Sequence, residues 1–121
     1  MEPNLKSSTD NLSRIKVGFM NIRGQSGLKI EKQLQIEEFV KRFKCDILHL
    51  QESNIEDETF STCNYICSNY NILQNNNLSQ YGTSSLVKSE FIIENLRCDT
   101  QGRALVFDVG QLTFDNIYFN V

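Results

Sequence analysis

The stretches FMNIRG (residues 19–24) and DILHLQE (residues 46–52) decide the fold of this chain. Each is an apolar, strand-like run that leads into a polar side chain able to bind a metal ion. An amphipathic helix is predicted between them. A strand, a helix and a second strand joined in this order favour a parallel βαβ unit, whose strands end at the same edge of the sheet. We therefore expect Asn21 and Glu52 to face one crevice.

The residues around these stretches follow strand and helix periodicities. Residues 14–20 alternate, with Ile15, Val17 and Phe19 on one side of the pleat. Residues 46–50 are almost continuously apolar, as in a strand that is covered on both faces. Between the two runs, apolar residues recur at spacings of three and four, which predicts a helix with one apolar face. This apolar face consists of Ile30, Leu34, Ile36, Phe39, Val40 and Phe43.

The polar residues at the two strand ends allow more than one interpretation. A carboxylate oxygen and an amide oxygen at a sheet edge suit Mg²⁺ or Mn²⁺ and do not suit a metal that prefers thiolates. A Gln-Glu pair after a strand is also common in solvated loops, and Asn is a common turn former. Spacing alone leaves both interpretations of Asn21 and Glu52 open.

The second half of the chain reads as strands joined by turns. An Asn-rich turn is predicted over residues 69–80, and Gly or polar turns separate the runs that follow it. In the last run, Leu112 and Phe114 share one face while Ile117 shares the other, so we expect either a bulge near Asp115 or cover on both faces. The pattern predicts an antiparallel meander of four strands, at residues 83–88, 91–98, 103–109 and 112–121.

Taken with YGTSSLV (residues 81–87) and NIY (residues 116–118), the first two stretches resemble the endonuclease/exonuclease/phosphatase superfamily. Its members open with a strand ending in Asn, a helix, and a strand ending in Gln-Glu. Within that superfamily, NIRG, LQE and GRALVFD (residues 102–108) look most like the endonuclease domain of non-LTR (LINE-type) retrotransposons. The resemblance implies an α+β fold, the N-terminal half of the superfamily's two-sheet sandwich, with a mixed sheet and one main helix.

The resemblance also implies roles for individual residues. Glu52 matches the family's metal-binding glutamate, and Asn21 matches the asparagine that helps to hold the metal and the phosphate. Tyr118 matches the catalytic-site tyrosine near the scissile phosphate, although the family usually continues with a small residue and Pro where this chain has FNV (residues 119–121). The implied cofactor is Mg²⁺ or Mn²⁺, held weakly by Glu52 and Asn21.

The family's Asp-x-Asn and Ser-Asp-His motifs do not occur in this sequence after Tyr118. We therefore expect a flexible polar N-terminus at residues 1–14 and a partial domain at residues 15–121, truncated at its C-terminus. The expected function is that of a fragment of a metal-dependent DNA-nicking phosphodiesterase, inactive alone. Two alternatives stay open: a fragment of another superfamily member, such as an apurinic-site nuclease or a phosphatase, and a non-catalytic interaction module.

Composition sets further expectations. A chain of 121 residues with 40% hydrophobic and 22% charged residues is typical of one soluble domain with a modest core. The net charge of −3 argues weakly against a nucleic-acid-binding face in this segment, so DNA is expected as a partner of the intact domain only. Residues 1–14 lack the apolar stretch of a secretory signal, and we expect an intracellular protein, nuclear when intact, without a membrane span. Self-association through an exposed sheet face is also expected.

The cysteines and the histidine are expected to be structural. Cys63 and Cys67 have a spacing that a zinc site uses, but no second pair accompanies them, which favours reduced and mostly buried thiols. His49 lies within the apolar run before Glu52. It is therefore expected to pack or form a hydrogen bond inside the sheet and not to act in catalysis.

Overall fold

The computed structural model describes residues 14–23, 28–53, 55–56, 58–75 and 82–118. Of the predicted N-terminal segment 1–14, only Arg14 lies among them, and residues 119–121 lie outside them. The described elements are β1 (Val17–Asn21), α1 (Ile30–Phe43), β2 (Ile47–Gln51), α2 (Asn64–Asn69), β3 (Tyr70–Asn75), β4 (Thr83–Lys88), β5 (Ile93–Cys98), β6 (Ala104–Val109) and β7 (Leu112–Ile117). Within these residues, no helix is long and apolar enough to cross a membrane.

The predicted βαβ unit is confirmed. Strands β1 and β2 pair in parallel, in a register that runs from Val17 opposite Ile47 to Asn21 opposite Gln51. Helix α1 connects them and buries Ile36 and Val40. Three other residues of the predicted apolar face are exposed: Ile30, Leu34 and Phe43. Because the strands are parallel and in register, their C-terminal ends lie side by side at one edge of the sheet.

The first sheet has the strand order β1-β2-β4-β3. Strand β4 is antiparallel to both β2 and β3, so the sheet is mixed, as predicted. The turn predicted for residues 69–80 is wrong where residues 70–75 form β3. Polar residues are tolerated in this edge strand because its backbone pairs with β4 and because Asn75, at its end, donates to the carbonyl oxygen of Ala104 at 2.7 Å.

The second sheet is an antiparallel meander of three strands, β5-β6-β7. The four-stranded meander expected from the sequence is thus divided, because β4 pairs within the first sheet. The register between β6 and β7 is regular, so no bulge occurs near Asp115, and the irregularity lies in β5 between Glu94 and Arg97. In β7 the polar Asn116 is buried, whereas the apolar Ile117 is 37% exposed. Hydrophobicity therefore failed to identify the most buried residue of this strand.

Two apolar cores make the first sheet the central layer. One core lies on the helix side of the sheet and joins residues such as Ile36 and Leu48. The other lies between the two sheets and consists of Ile47, Val87, Phe107 and Val109. Residues 47–50 of β2 are buried throughout, as their continuous apolar sequence predicts. The architecture is the predicted α+β fold, a mixed sheet with one main helix packed against a second sheet.

Among the described residues, the second sheet leaves β1 uncovered. The second sheet packs over β2, β3 and β4, and β1 forms the edge of the first sheet. The side chains of Val17 and Phe19 on β1 are 37% and 63% exposed, although the ring of Phe19 lies 5.0 Å from that of His49. An apolar edge strand with exposed side chains is a surface that associates in water.

We predict that this edge causes the chain to self-associate. Phe19→Ser should shift the protein toward the monomer in size-exclusion chromatography, because it removes the most exposed apolar side chain of β1. Ile92→Ser is the control, since Ile92 is 76% exposed but lies outside both strands and helices. Equal effects of the two substitutions would show that β1 is not the associating surface.

Candidate active site

The side chains of Asn21 and Glu52 meet at the shared edge of β1 and β2. The amide nitrogen Nδ2 of Asn21 donates a hydrogen bond to Oε2 of Glu52 at 2.6 Å. The amide oxygen of Asn21 accepts a bond of 3.2 Å from the backbone N–H of Arg23, which fixes the orientation of the amide. The juxtaposition expected from the βαβ unit is therefore present. The metal-binding and catalytic roles of these residues stay predictions.

The backbone at Glu52 adopts an uncommon conformation. Its φ angle is 54°, in the left-handed region that residues other than glycine rarely occupy. Hydrogen bonds of the next residue hold the bend: the N–H of Ser53 donates to the carbonyl oxygen of Gly82 at 3.1 Å, and the hydroxyls of Ser53 and Ser84 lie 2.7 Å apart. Such strain costs on the order of 1–3 kcal/mol and is concentrated at functional sites. Glu52 is thus held in place at the strand end.

The end of β7 lies beside the end of β2. The side-chain nitrogen Nε2 of Gln51 donates to the carbonyl oxygen of Ile117 at 2.9 Å. The next residue, Tyr118, is half-buried, and its backbone N–H donates to the carbonyl oxygen of Arg103 at 2.7 Å. The predicted site residue Tyr118 therefore follows a strand end that is hydrogen-bonded to the residue preceding Glu52. Its role near a phosphate stays a prediction.

Asp99 orders the segment at residues 103–104, to which the backbone of Tyr118 is hydrogen-bonded. Its Oδ1 accepts hydrogen bonds from the backbone N–H groups of Arg103 and Ala104, at 2.9 and 3.0 Å, and from Nδ2 of Asn75 at 3.0 Å. Burial acts to raise the pKa of Asp99, but these hydrogen bonds outweigh it and lower the pKa of the carboxyl group. The ionised Asp99 therefore anchors the segment against which the end of β7 is held.

Sequence reasoning missed a set of buried polar residues in β2, β4 and β7. Asn116, Ser84 and Ser85 are fully buried, and Nδ2 of Asn116 donates to the carbonyl oxygen of Ser84 at 2.7 Å. His49 and Ser85 are joined by a bond of 2.7 Å between Nδ1 and the hydroxyl. The signal was the run of small polar residues at 83–85 directly before the apolar Leu86 and Val87.

The structural role predicted for His49 is confirmed. The side chain is 1% exposed, forms its hydrogen bond within the sandwich and contacts the ring of Phe107 at a centroid distance of 6.1 Å. Burial lowers the pKa of His49 from 6.5 to about 4. The imidazole is therefore neutral at physiological pH.

This shift predicts a stability that falls in mild acid. The unfolded chain binds a proton at His49 below about pH 6.5, whereas the folded chain does so only below about pH 4. The neutral imidazole therefore contributes its full stability above about pH 6.5 and loses it as the pH falls from about 6.5 to about 4. We expect a loss of roughly 2 kcal/mol of unfolding free energy between about pH 7 and about pH 5. Urea denaturation at the two pH values measures it.

The control is His49→Gln, which removes the chain's single histidine. Carboxyl groups with lowered pKa, such as those of Asp99 and Asp108, lose their contribution to stability only as the pH falls below their ordinary value of 3.8. The loss above about pH 5 should therefore disappear in the variant. An unchanged pH dependence would assign it to other groups.

The cysteines give no sign of a metal site or a disulfide. All four are free thiols; Cys45 and Cys63 are buried, while Cys67 and Cys98 are exposed, so the expectation of mostly buried thiols holds for two of them. Burial raises the pKa of the Cys45 and Cys63 thiols, which keeps them protonated. In the described part of the chain, no three His, Cys, Asp or Glu side chains cluster in a way that would hold a metal ion.

The donor set at the strand ends fits a hard cation bound mainly by water. The Asn21 amide presents its nitrogen to Glu52 and its oxygen to the backbone N–H of Arg23, and metal binding by either residue stays a prediction. Mg²⁺ commonly binds through one or two carboxylates and keeps several water ligands. One half-buried carboxylate at a sheet edge is compatible with such weak binding.

Comparisons with known proteins identify the fold. No family model and no curated protein matches the sequence. Among solved structures, an AP endonuclease from Archaeoglobus fulgidus superposes with a TM-score of 0.68 at 15% identity, over 87% of this chain and 41% of that one. A 3'-5' exonuclease (NExo) from Neisseria meningitidis gives 0.65 at 15% identity, over 86% and 41%. Truncated TDP2 from Caenorhabditis elegans gives 0.57 at 26% identity, over 84% and 43%.

The fold is that of the endonuclease/exonuclease/phosphatase superfamily. This chain spans about two fifths of the length of these structures, that is, 41% to 43%. Its two sheets correspond to half of the superfamily's sandwich, as the resemblance in sequence implied.

Proposed function

We propose that this chain is the N-terminal part of a divalent-metal-dependent phosphodiesterase domain that cleaves DNA. The observation that carries the proposal is the hydrogen bond of 2.6 Å between Asn21 and Glu52 at the joint end of two parallel strands. Among the described carboxylates, Glu52 combines a partly buried strand-end position with an amide partner and a constrained backbone. These properties are typical of a pre-organised metal ligand, whereas a glutamate in a solvated loop does not need them.

Each proposed site residue has a distinct task. Glu52 would hold Mg²⁺ or Mn²⁺, and the bound ion would supply neutralisation of the charge that develops on a phosphate. Asn21 holds the Glu52 carboxylate in one orientation through its Nδ2 and is itself held by the backbone of Arg23. The hydroxyl of Tyr118 is proposed to donate a hydrogen bond to a phosphate oxygen from the end of β7.

Sequence motifs favour one substrate among those that enzymes of this fold use. The NIRG, LQE and GRALVFD stretches favour a retrotransposon endonuclease that nicks DNA in the nucleus. An apurinic-site nuclease or a phosphatase is the alternative among enzymes of the same fold. A non-catalytic interaction module is the alternative among proteins that are not enzymes. Reverse-transcriptase coding sequence downstream in the genome would support the first, and single-copy genomic sequence without it would oppose it.

Charge limits what this segment is proposed to bind alone. Its net charge is −3, whereas surfaces that follow a phosphate backbone concentrate Lys and Arg. The proposal therefore assigns DNA binding to the complete domain and assigns the metal end of the site to this segment.

Metal binding tests the proposal. We expect weak binding of Mn²⁺, because one carboxylate leaves most of an octahedral shell to water. Glu52→Gln should abolish the binding heat in calorimetry, since the neutral amide keeps the shape but loses the charge. Glu38→Gln is the matched control, because Glu38 is an exposed glutamate on α1. Tight binding that Glu52→Gln leaves unchanged would remove Glu52 from the site.

A further inference from the structure

Two side-chain amides connect the sheets next to the candidate site. From the second sheet, Nδ2 of Asn116 donates to the carbonyl oxygens of Leu50 and Ser84, at 3.3 and 2.7 Å. From the first sheet, Nε2 of Gln51 donates to the carbonyl oxygen of Ile117 at 2.9 Å. The two amides thus connect consecutive residues of β2 to consecutive residues of β7, in opposite directions.

These hydrogen bonds fix the relative position of β2 and β7 along the strand direction. Leu50 is matched with Asn116, and Gln51 with Ile117, so β2 and β7 run in the same direction where they cross. A strand advances about 3.3 Å per residue, so a slip of one residue would displace the end of one strand by that distance. The next residues along the chain are Glu52 on β2 and Tyr118 on β7.

The burial of Asn116 is unfavourable for stability alone. The side chain is fully buried, and within the described residues its Oδ1 has no hydrogen-bond partner. A buried acceptor without a partner carries a desolvation penalty, which a leucine of similar size would avoid. The apolar neighbours on the same face of β7 show that the environment would accept such a residue: Phe114 packs against the inter-sheet core.

We propose that Asn116 and Gln51 are positioning residues that hold Tyr118 level with Glu52. Neither touches a substrate in this role; they act through the strand ends that they join. Buried polar groups commonly specify one arrangement at a cost in stability, and here the arrangement concerns the two sheets of the sandwich. The catalytic meaning of the Tyr118–Glu52 pair rests on the proposed function, whereas the geometric role does not.

Fluorine NMR of the chain labelled with 3-fluorotyrosine tests the proposal without metal. The Tyr118 resonance is assigned with Tyr118→Phe. Glu52→Gln removes a charge and should shift that resonance, while Glu38→Gln should not. In the background of Asn116→Leu, we expect the shift caused by Glu52→Gln to fall by about half or more, because electric fields decrease steeply with distance. Gln51→Met provides a second background, at a half-buried position.

The outcomes separate this proposal from the proposed function. A shift that is equal in the wild-type, Asn116→Leu and Gln51→Met backgrounds would overturn the positioning role, and so would the absence of a shift in the wild type. If circular dichroism shows that Asn116→Leu does not fold, the shift measured in the Gln51→Met background tests the positioning role. Absence of Mn²⁺ binding by the wild-type chain in calorimetry would overturn the proposed function and would leave the fluorine result unaffected.

Discussion

Supercoiled plasmid incubated with this chain and Mg²⁺ should remain intact. Cleavage of a phosphodiester needs a group that activates water and donors that stabilise the transition state, and loss of one such group costs on the order of a hundredfold or more. In the part of the chain that the structure describes, the site offers one carboxylate, and the neutral His49 is buried away from solvent. With two such contributions missing, we expect a rate about ten-thousandfold below that of a complete domain.

The matched comparison is the Glu52→Ala variant, which should be indistinguishable from the wild type in the same assay. Both proteins should be taken from the monomer fraction, so that association does not confuse the result. Nicking by the wild type that disappears in Glu52→Ala would show that these 121 residues contain a complete active site.

Phe107→Ala should remove a large part of the stability of the chain, about 3–5 kcal/mol. Phe107 is fully buried between the two sheets, where its ring stacks on Phe114 at 5.6 Å and contacts His49 at 6.1 Å. Removing a buried phenyl ring costs about 3–5 kcal/mol, and a small domain has a total stability of roughly 5–15 kcal/mol. The inter-sheet core is small, so the loss should affect both sheets together.

Circular dichroism with urea denaturation measures this effect. Phe43→Ala is the control, because Phe43 is 50% exposed at the end of α1 and should cost about 1 kcal/mol or less. A Phe107→Ala variant as stable as the control would mean that the second sheet does not pack on the first in solution.

The fold was predictable where local pattern and connection rules agree. Helix α1 follows from its apolar spacing, and the meeting of Asn21 with Glu52 follows from two parallel strands joined by a helix. The burial of His49 was predictable because the residue lies within an apolar run. Each of these features depends on residues close in sequence or on one chirality rule.

The remainder depends on pairing between distant segments. Strand β4 looks like the start of a meander, yet it inserts between β2 and β3, which no local pattern specifies. In β7 the buried residue is Asn116 and an exposed one is Ile117, the reverse of what hydrophobicity predicts. The reason is that Asn116 meets carbonyl groups of the other sheet, and this partner becomes visible only once the sheets are packed.

The central claim is that Glu52, oriented by Asn21, is the metal-binding group of a phosphodiesterase site. A map of backbone amide broadening by Mn²⁺ in two-dimensional NMR tests it most directly, because paramagnetic relaxation decreases steeply with distance from the ion. If Glu52 binds the ion, broadening should be strongest at the amides of Asn21, Glu52, Ser53 and Gly82. This broadening should be lost in Glu52→Gln. Broadening centred on the exposed carboxylates of the second sheet, or unchanged in Glu52→Gln, would contradict the account.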